Sequence, residues 1–316
     1  MTAYGGDGAA SGRAPGGHGS DPPPRAAGDD GPVLALRAAL ETSAAVVRTP
    51  CGAGTMVWRR WGAGRPLVLL HGGAGGWDHW VRNVGPLSRV REVWCADLPS
   101  LGESDDAPEP GDVHAIAAAV ADGLDALLPG PHAFDVVGFS FGALIGTLVA
   151  QARPGRVGRL VLVGAASIGL PDPKLPLRFW RWASDEAGQR EIHRANLHAL
   201  MLAATDDDPD AVTLHARNAA RTRFFGKTVA AQPLTRDRLG ALDVARVDAI
   251  YGALDAITGR DADTARVVLQ AVRPGLRFEA IPGAGHWVQY ERPAAFEAAL
   301  ARLLGAARPT ASQAGR

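Results

Sequence analysis

Cysteine is nearly missing from this chain. Of its 316 residues only Cys51 and Cys95 are cysteines, and neither stands in a C-x-x-C or other metal-ligand spacing. A disulfide framework and a structural zinc site are therefore excluded, and both cysteines read as small buried hydrophobes. The zinc-protease pattern H-E-x-x-H is absent. A surplus of one charge is also lacking, since Lys+Arg and Asp+Glu each number 33. A net charge of zero gives no global field toward nucleic acid or an anionic membrane, although Arg217, Arg221 and Arg223 form a local basic group. Long apolar runs are missing too. The most apolar stretch, Val136 to Ala150, is short of the roughly 20 residues that span a bilayer, and Gly and Ser interrupt it. The first 31 residues hold no apolar signal core. They are rich in Gly, Pro, Ala and Asp and read as a disordered tail of a cytoplasmic protein.

Glycine, by contrast, is abundant at 39 residues. Its placement follows a rhythm of short apolar runs and helical stretches. Pro32–Val47 has helical spacing. Strand-like runs follow at Thr55–Trp61, Leu67–Leu70, Arg91–Ala96, Phe134–Val137 and Arg159–Val163, with helical stretches at Val113–Leu128 and Ala143–Ala152 between them. Such alternation specifies an α/β fold, a mostly parallel twisted sheet with helices on both faces. From 169 to 235 the strands stop. Three helices are expected there, over Pro176–Ala187, over Arg190–Ala204, and from the Asp-rich 206–209 stretch to Phe225. This block reads as an inserted helical cap. The core then comprises 32–168 and 236–307, with strands resuming at Val247–Tyr251 and Arg277–Ile281 and a last helix at Pro293–Leu304. A polar, loose tail occupies 308–316.

Gly138-Phe139-Ser140-Phe141-Gly142 fits G-x-S-x-G. In a chain this rich in glycine, chance alone supplies such a match about one time in seven. The context is more specific, because the motif follows an apolar strand and opens an uncharged helix. The glycines allow a sharp strand-to-helix turn. That turn lifts the Ser140 hydroxyl above the sheet, at a helix N-terminus where backbone N–H groups favour negative charge.

A serine nucleophile needs a base, and the base needs an orienting carboxylate. Among the histidines after Ser140, His193, His198 and His215 fall in the expected cap. His286 falls in Gly283-Ala284-Gly285-His286-Trp287, between the last strand and the last helix, where small residues let the loop carry an imidazole over the sheet edge. Asp255 lies just past the strand Val247–Tyr251, at a strand C-terminus where ligand-facing loops gather. Asp261 and Asp263 are nearby competitors, and Asp172 is an alternative after an earlier strand. For the developing oxyanion, Phe141 N–H is one donor. The loop His71-Gly72-Gly73-Ala74-Gly75-Gly76 offers Gly73 as the second, with Ala74 behind it. That loop lacks the dinucleotide pattern G-x-G-x-x-G. Gly226-Lys227-Thr228 is not a P-loop, because Arg221 stands where the first glycine is required.

Over residues 50–305 the chain resembles the α/β-hydrolases. The resemblance rests on His71-Gly72-Gly73, Asp97-Leu98-Pro99-Ser100-Leu101-Gly102-Glu103-Ser104, the serine elbow and Gly285-His286-Trp287. It implies the α/β-hydrolase fold, a helical cap, and hydrolysis of a small-molecule substrate with no cofactor and no metal. A homodimer through cap or edge-strand contacts is compatible with it. Within that family the chain is most similar to the meta-cleavage-product (carbon–carbon bond) hydrolases, through three stretches. These are Gly75-Gly76-Trp77 leading to Arg82-Asn83-Val84-Gly85-Pro86, the run Gly285 to Pro293, and Leu214 to Arg223. Arg217 matches the substrate-carboxylate arginine of that group, a role suited to its forked guanidinium. Phe139 stands where that group usually has Asn, which makes the floor of the site apolar. Phe139, Phe141, Trp180 and Trp287 are the expected apolar and aromatic substrate contacts.

Overall fold

The computed structural model describes residues 31–109, 111–131, 133–224, 229 and 232–305. The two expected tails, apart from Gly31, lie outside the described residues. Eight strands form one sheet: β1 (Ala45–Cys51), β2 (Gly54–Trp61), β3 (Pro66–Leu70), β4 (Glu92–Ala96), β5 (Phe134–Phe139), β6 (Val157–Val163), β7 (Arg246–Gly252) and β8 (Arg277–Ile281). The order is β1-β2-β4-β3-β5-β6-β7-β8, with β1 and β2 antiparallel to their neighbours and the rest parallel.

The central parallel strands β3 and β5 are buried along nearly their whole length because both faces are covered. Along β3, Leu67 and Leu69 point into one core while Val68 and Leu70 point into the other. One face is covered by α3 (Val113–Leu127), α4 (Phe141–Ala152) and α8 (Ala262–Val272). The other is covered by α1 (Pro32–Ser43), α2 (Val81–Ser88) and α10 (Pro293–Leu304). Completing the core are α7 (Leu234–Leu239) and the short α9 (Val288–Glu291).

Two expectations are corrected. The helix expected over Pro32–Val47 stops at Ser43, and Ala45–Cys51 is a strand not foreseen. Val46, Val47 and Thr49 are β-branched, and a turn with Gly52 at φ +58° folds the strand back so that Ala45 faces Arg60. The helix expected over Pro176–Ala187 is a single 3₁₀ turn at Trp180–Trp182. Pro171, Pro173 and Pro176 remove backbone donors just ahead of it.

Helix formation in this insert starts instead where side chains cap it. Asp185 accepts from Gly188 N–H at 2.7 Å and opens α5 (Glu186–Asn196), which runs into a π turn at Leu197–Met201. Asp208 accepts from Ala211 N–H at 2.9 Å and opens α6 (Pro209–Ala220). No strand lies between β6 and β7 among the described residues.

α1 ties this insert to the core. Its first N–H groups donate to Asp210 of α6, from Val33 at 2.9 Å and Leu34 at 3.4 Å. Its buried Arg37 donates to Asp78 at 2.8 Å, and the same carboxylate accepts from Asn218 of α6 at 2.7 Å. A second buried ion pair, Arg59–Asp97 at 3.0 Å, lies beside the first: both arginines stand over the ring of Trp77.

Candidate active site

β5 ends at Phe139 and α4 begins at Phe141, so Ser140 is the single residue of the turn. Its backbone sits at φ 51°, ψ −110°, a strained conformation for a side-chain-bearing residue. Its N–H donates to Val163 O at 2.8 Å, which anchors the turn on β6. The glycines are required by space. A Cβ at Gly138 would meet the Gly142 carbonyl and lie 2.6 Å from Ala143 Cα. One at Gly142 would meet the Leu70 carbonyl. Ser140 is half-buried, and its hydroxyl is not spent on capping α4.

The imidazole of His286 and the carboxylate of Asp255 are joined, Nδ1 to Oδ2 at 2.9 Å, with both side chains buried. Asp255 follows β7, and its second oxygen accepts from Ile257 N–H at 2.8 Å. The Asp255 and His286 loops are laced together by Leu254 N–H to Ala284 O at 2.9 Å. Gly252 packs against the Gly285 and Ala284 carbonyls with no space for a Cβ. The pairing puts the proton on Nδ1 and leaves the Nε2 lone pair free. The imidazole lies 4.9 Å, ring to ring, from Phe139, the residue before the serine. Of the competing acids, Asp261 caps α8 through Asp263 N–H, and Asp172 is exposed and turned onto Lys174 N–H.

The glycine loop touches Ser140. A Cβ on Gly72 would lie 3.3 Å from Ser140 Cβ, and one on Gly73 would lie 3.9 Å from Phe141 Cβ. Gly72 is held at both ends. Its N–H donates to His79 Nδ1 at 3.3 Å, and its carbonyl lies 2.7 Å from His71 Nδ1. Because His71 Nε2 accepts from Leu98 N–H at 2.9 Å, its proton is on Nδ1 and points at that carbonyl. Carbonyl and N–H point oppositely across one trans peptide, so this bond sets where Gly73 N–H is aimed. Phe141 N–H belongs to the first turn of α4, where donors have no acceptor inside the helix. Burial, together with the neighbouring His71, pushes His79 down to about 3, so it is neutral at ordinary pH.

The expected substrate contacts divide. Phe141 faces Phe224 in a stacked pair at 5.1 Å. Phe139 and Trp287 are closed off, at 0% and 1% exposure. Trp287 donates its indole N–H to His79 O at 2.9 Å and stacks on Tyr290, so these two residues back the site rather than line it. Trp180 packs in the insert against His193. Arg217 is half-buried on α6 and has no ion pair or hydrogen bond among the described residues. Burial, and then the nearby charges of Arg37 and Arg221, disfavour its charged form.

Sequence reasoning missed His79 and the buried Arg37–Asp78–Asn218 link. The available signal was a charged Asp78 and a histidine three residues past the glycine-rich loop. Among the described residues no group of three or more His, Cys, Asp or Glu could hold a metal ion. No helix among them is long and apolar enough to cross a membrane.

An eight-stranded, mostly parallel sheet with a serine elbow at β5 defines the class, and the chain belongs to the alpha/beta hydrolase family, whose model matches residues 67–299. Over 262 residues it is 29% identical to a 2-hydroxy-6-oxononadienedioate/2-hydroxy-6-oxononatrienedioate hydrolase of Cupriavidus pinatubonensis, covering 77% of this chain and 88% of that one. It is 28% identical to a 2-hydroxy-6-oxo-6-phenylhexa-2,4-dienoate hydrolase of Burkholderia cepacia, covering 74% and 86%. The crystal structure of a carboxylesterase from Bacillus subtilis shares the fold with a TM-score of 0.66 at 18% identity, covering 86% and 98%. The protein is an enzyme of the hydrolase class.

Proposed function

We propose that the protein is a serine hydrolase of a small acyl-type substrate, with Ser140 as nucleophile, His286 as base and Asp255 as orienting acid. The observation that carries this reading is the buried His286–Asp255 hydrogen bond of 2.9 Å beside the strained Ser140 turn. Ser140 Oγ attacks a carbonyl carbon while His286 Nε2 takes its proton. Asp255 stabilises the imidazolium, and Gly73 and Phe141 N–H groups receive the oxyanion. His286 then returns the proton to the leaving group, and water releases the acyl group by the same steps in reverse.

The bond cleaved is an ester, or a carbon–carbon bond next to a ketone, where the triad also helps ketonise a dienol before attack. Arg217 favours the second substrate. A half-buried guanidinium with no ion pair or hydrogen bond among the described residues suits a substrate carboxylate, and the dienoate named for each of the two relatives above carries one. Residues 169–235 are proposed as the cap over this site. A homodimer and a cytoplasmic location belong to the same reading.

Treatment with a fluorophosphonate probe should label Ser140, and Ser140→Ala should abolish both labelling and turnover of p-nitrophenyl esters. A folded wild-type protein that takes no label would make it a ligand-binding protein on a hydrolase scaffold. Wild-type turnover by Ser140→Ala would remove the nucleophile assignment.

A further inference from the structure

The insert meets the catalytic histidine's loop at a seam of backbone groups, and one carboxylate bridges that seam. Glu291, at the end of α9, accepts through Oε1 from the N–H groups of Ala203 at 2.8 Å and Ala204 at 2.9 Å. Its Oε2 accepts from Gly285 N–H at 2.6 Å, and Gly285 is the residue immediately before His286. Ala203 and Ala204 belong to the insert, just past its π turn. Alongside, Trp287 N–H donates to Met201 O at 2.8 Å. A Cβ on Gly285 would come within 2.6 Å of Ala203 N, so the two segments touch directly. Glu291 has no cationic side chain within ion-pair distance among the described residues, and the guanidinium of Arg292 donates instead to the Glu291 backbone carbonyl. Its negative charge is satisfied by three amide N–H groups, two on the insert and one on the catalytic loop. Such charge-assisted bonds are stronger than neutral ones. A cleft of about 720 Å³ opens at this seam, lined by Arg82, Asp208 and Tyr290 as well as Glu291, and it contains no triad residue.

We propose that Glu291 is a positioning residue that couples the seating of the insert to the placement of the His286 imidazole. With the insert down, the carboxylate holds the Gly285 peptide, and the imidazole that follows it is fixed for proton transfer with Ser140. When the insert lifts, the Ala203 and Ala204 amides leave, the carboxylate loses two of its three ligands, and the Gly285 peptide is released. The catalytic loop is thus set for chemistry only with the insert closed. The inference rests on the triad reading above and adds a control over it.

Glu291→Gln tests it, because the isosteric amide keeps one acceptor and turns an NH₂ toward an N–H donor. Well below its melting temperature, E291Q should lose roughly 10- to 100-fold in kcat on p-nitrophenyl acetate, the range expected when a catalytic group is displaced. KM should change less than about threefold, and the acid limb of the pH–rate profile should shift, since that limb reports the base. Glu291→Asp is read in the same way. A variant with only a lowered melting temperature, and wild-type kcat and pH limb, would overturn the coupling. Hydrogen exchange on the wild-type protein gives a second readout. The Gly285, Ala203 and Ala204 amides should gain protection together, by roughly tenfold, when a phosphonate adduct forms. Independent changes at the three amides would also overturn the coupling. If Ser140→Ala retains activity, the triad reading fails. If Ser140→Ala is inactive and E291Q is not impaired, only the coupling fails.

Discussion

The C-terminal edge of the sheet and the insert between β6 and β7 are built on opposite plans. At the sheet edge each functional group is held by backbone. Ser140 hangs from β6, Asp255 from the turn after β7, and the Gly72–Gly73 peptide between His71 and His79. Glycines stand wherever a Cβ would collide. Among its described residues the insert has two capped helices and a π turn, and a proline-rich stretch that leaves Leu177, Phe179 and Trp182 exposed, the last at 80%. The difference separates tasks. Chemistry needs atoms fixed to fractions of an ångström, and a buried parallel sheet supplies that. Selecting a substrate needs a surface that can change without disturbing those atoms.

On that separation, substitutions at the sheet edge should act on kcat, and substitutions in the insert on substrate choice. The largest effect is expected from Asp255→Asn. It preserves shape but offers His286 a donor where an acceptor stood, and should lower kcat by about 10⁴ on every substrate with KM little changed. Stopped-flow assays on an ester and on a ring-fission dienoate check it, and a loss confined to one substrate would blur the two regions.

Arg217→Ala should act in the opposite manner. Losing a charge-assisted carboxylate contact should cost roughly 100-fold in kcat/KM on the dienoate, with p-nitrophenyl ester turnover preserved. An equal loss on both would place Arg217 in the structural scaffold.

The smallest effect is on stability. His79 takes up a proton in the unfolded chain near its ordinary value of 6.5, and in the folded chain only near 3. Its contribution to stability is therefore complete above pH 6.5 and is lost as the pH falls toward 3. At pH 5 the loss is about 2 kcal/mol. His215, held down to about 3, and His193, held down to about 4, act in the same direction from within the insert. Urea titrations at pH 7 and pH 5 should show the fall, and His79→Gln should reduce it. An unchanged slope in that variant would mean the proton is taken up elsewhere.

The centre of the sheet was legible from sequence because β3 and β5 are buried on both faces and run into glycine motifs. β5 announces itself as Phe134–Val137 running into Gly138, and β8 was read to its observed ends. Asp255 and His286 could be chosen because each sits just past such a strand. The insert was less legible. Leu177, Trp180 and Trp182 have helical spacing, yet the three prolines before them prevent the helix, so apolar period and backbone chemistry conflicted and the backbone won. β1 was hidden because Val46 and Val47 continue an apolar pattern that begins in α1. Phe139 and Trp287 were read as walls because apolar residues beside a nucleophile suit either wall or backing, and burial alone distinguishes them. The roles of His79 and Glu291 depend on contacts with peptide N–H groups, which no side-chain pattern encodes.

α1 lies ahead of the stretch that matches the family, yet it is fastened to α6 by Asp210 and, through Arg37 and Asp78, by Asn218. The insert is thereby moored to a helix more than 170 residues earlier in the chain. A substitution in α1 should therefore be felt in the insert, because the carboxylates of Asp210 and Asp78 hold the two together.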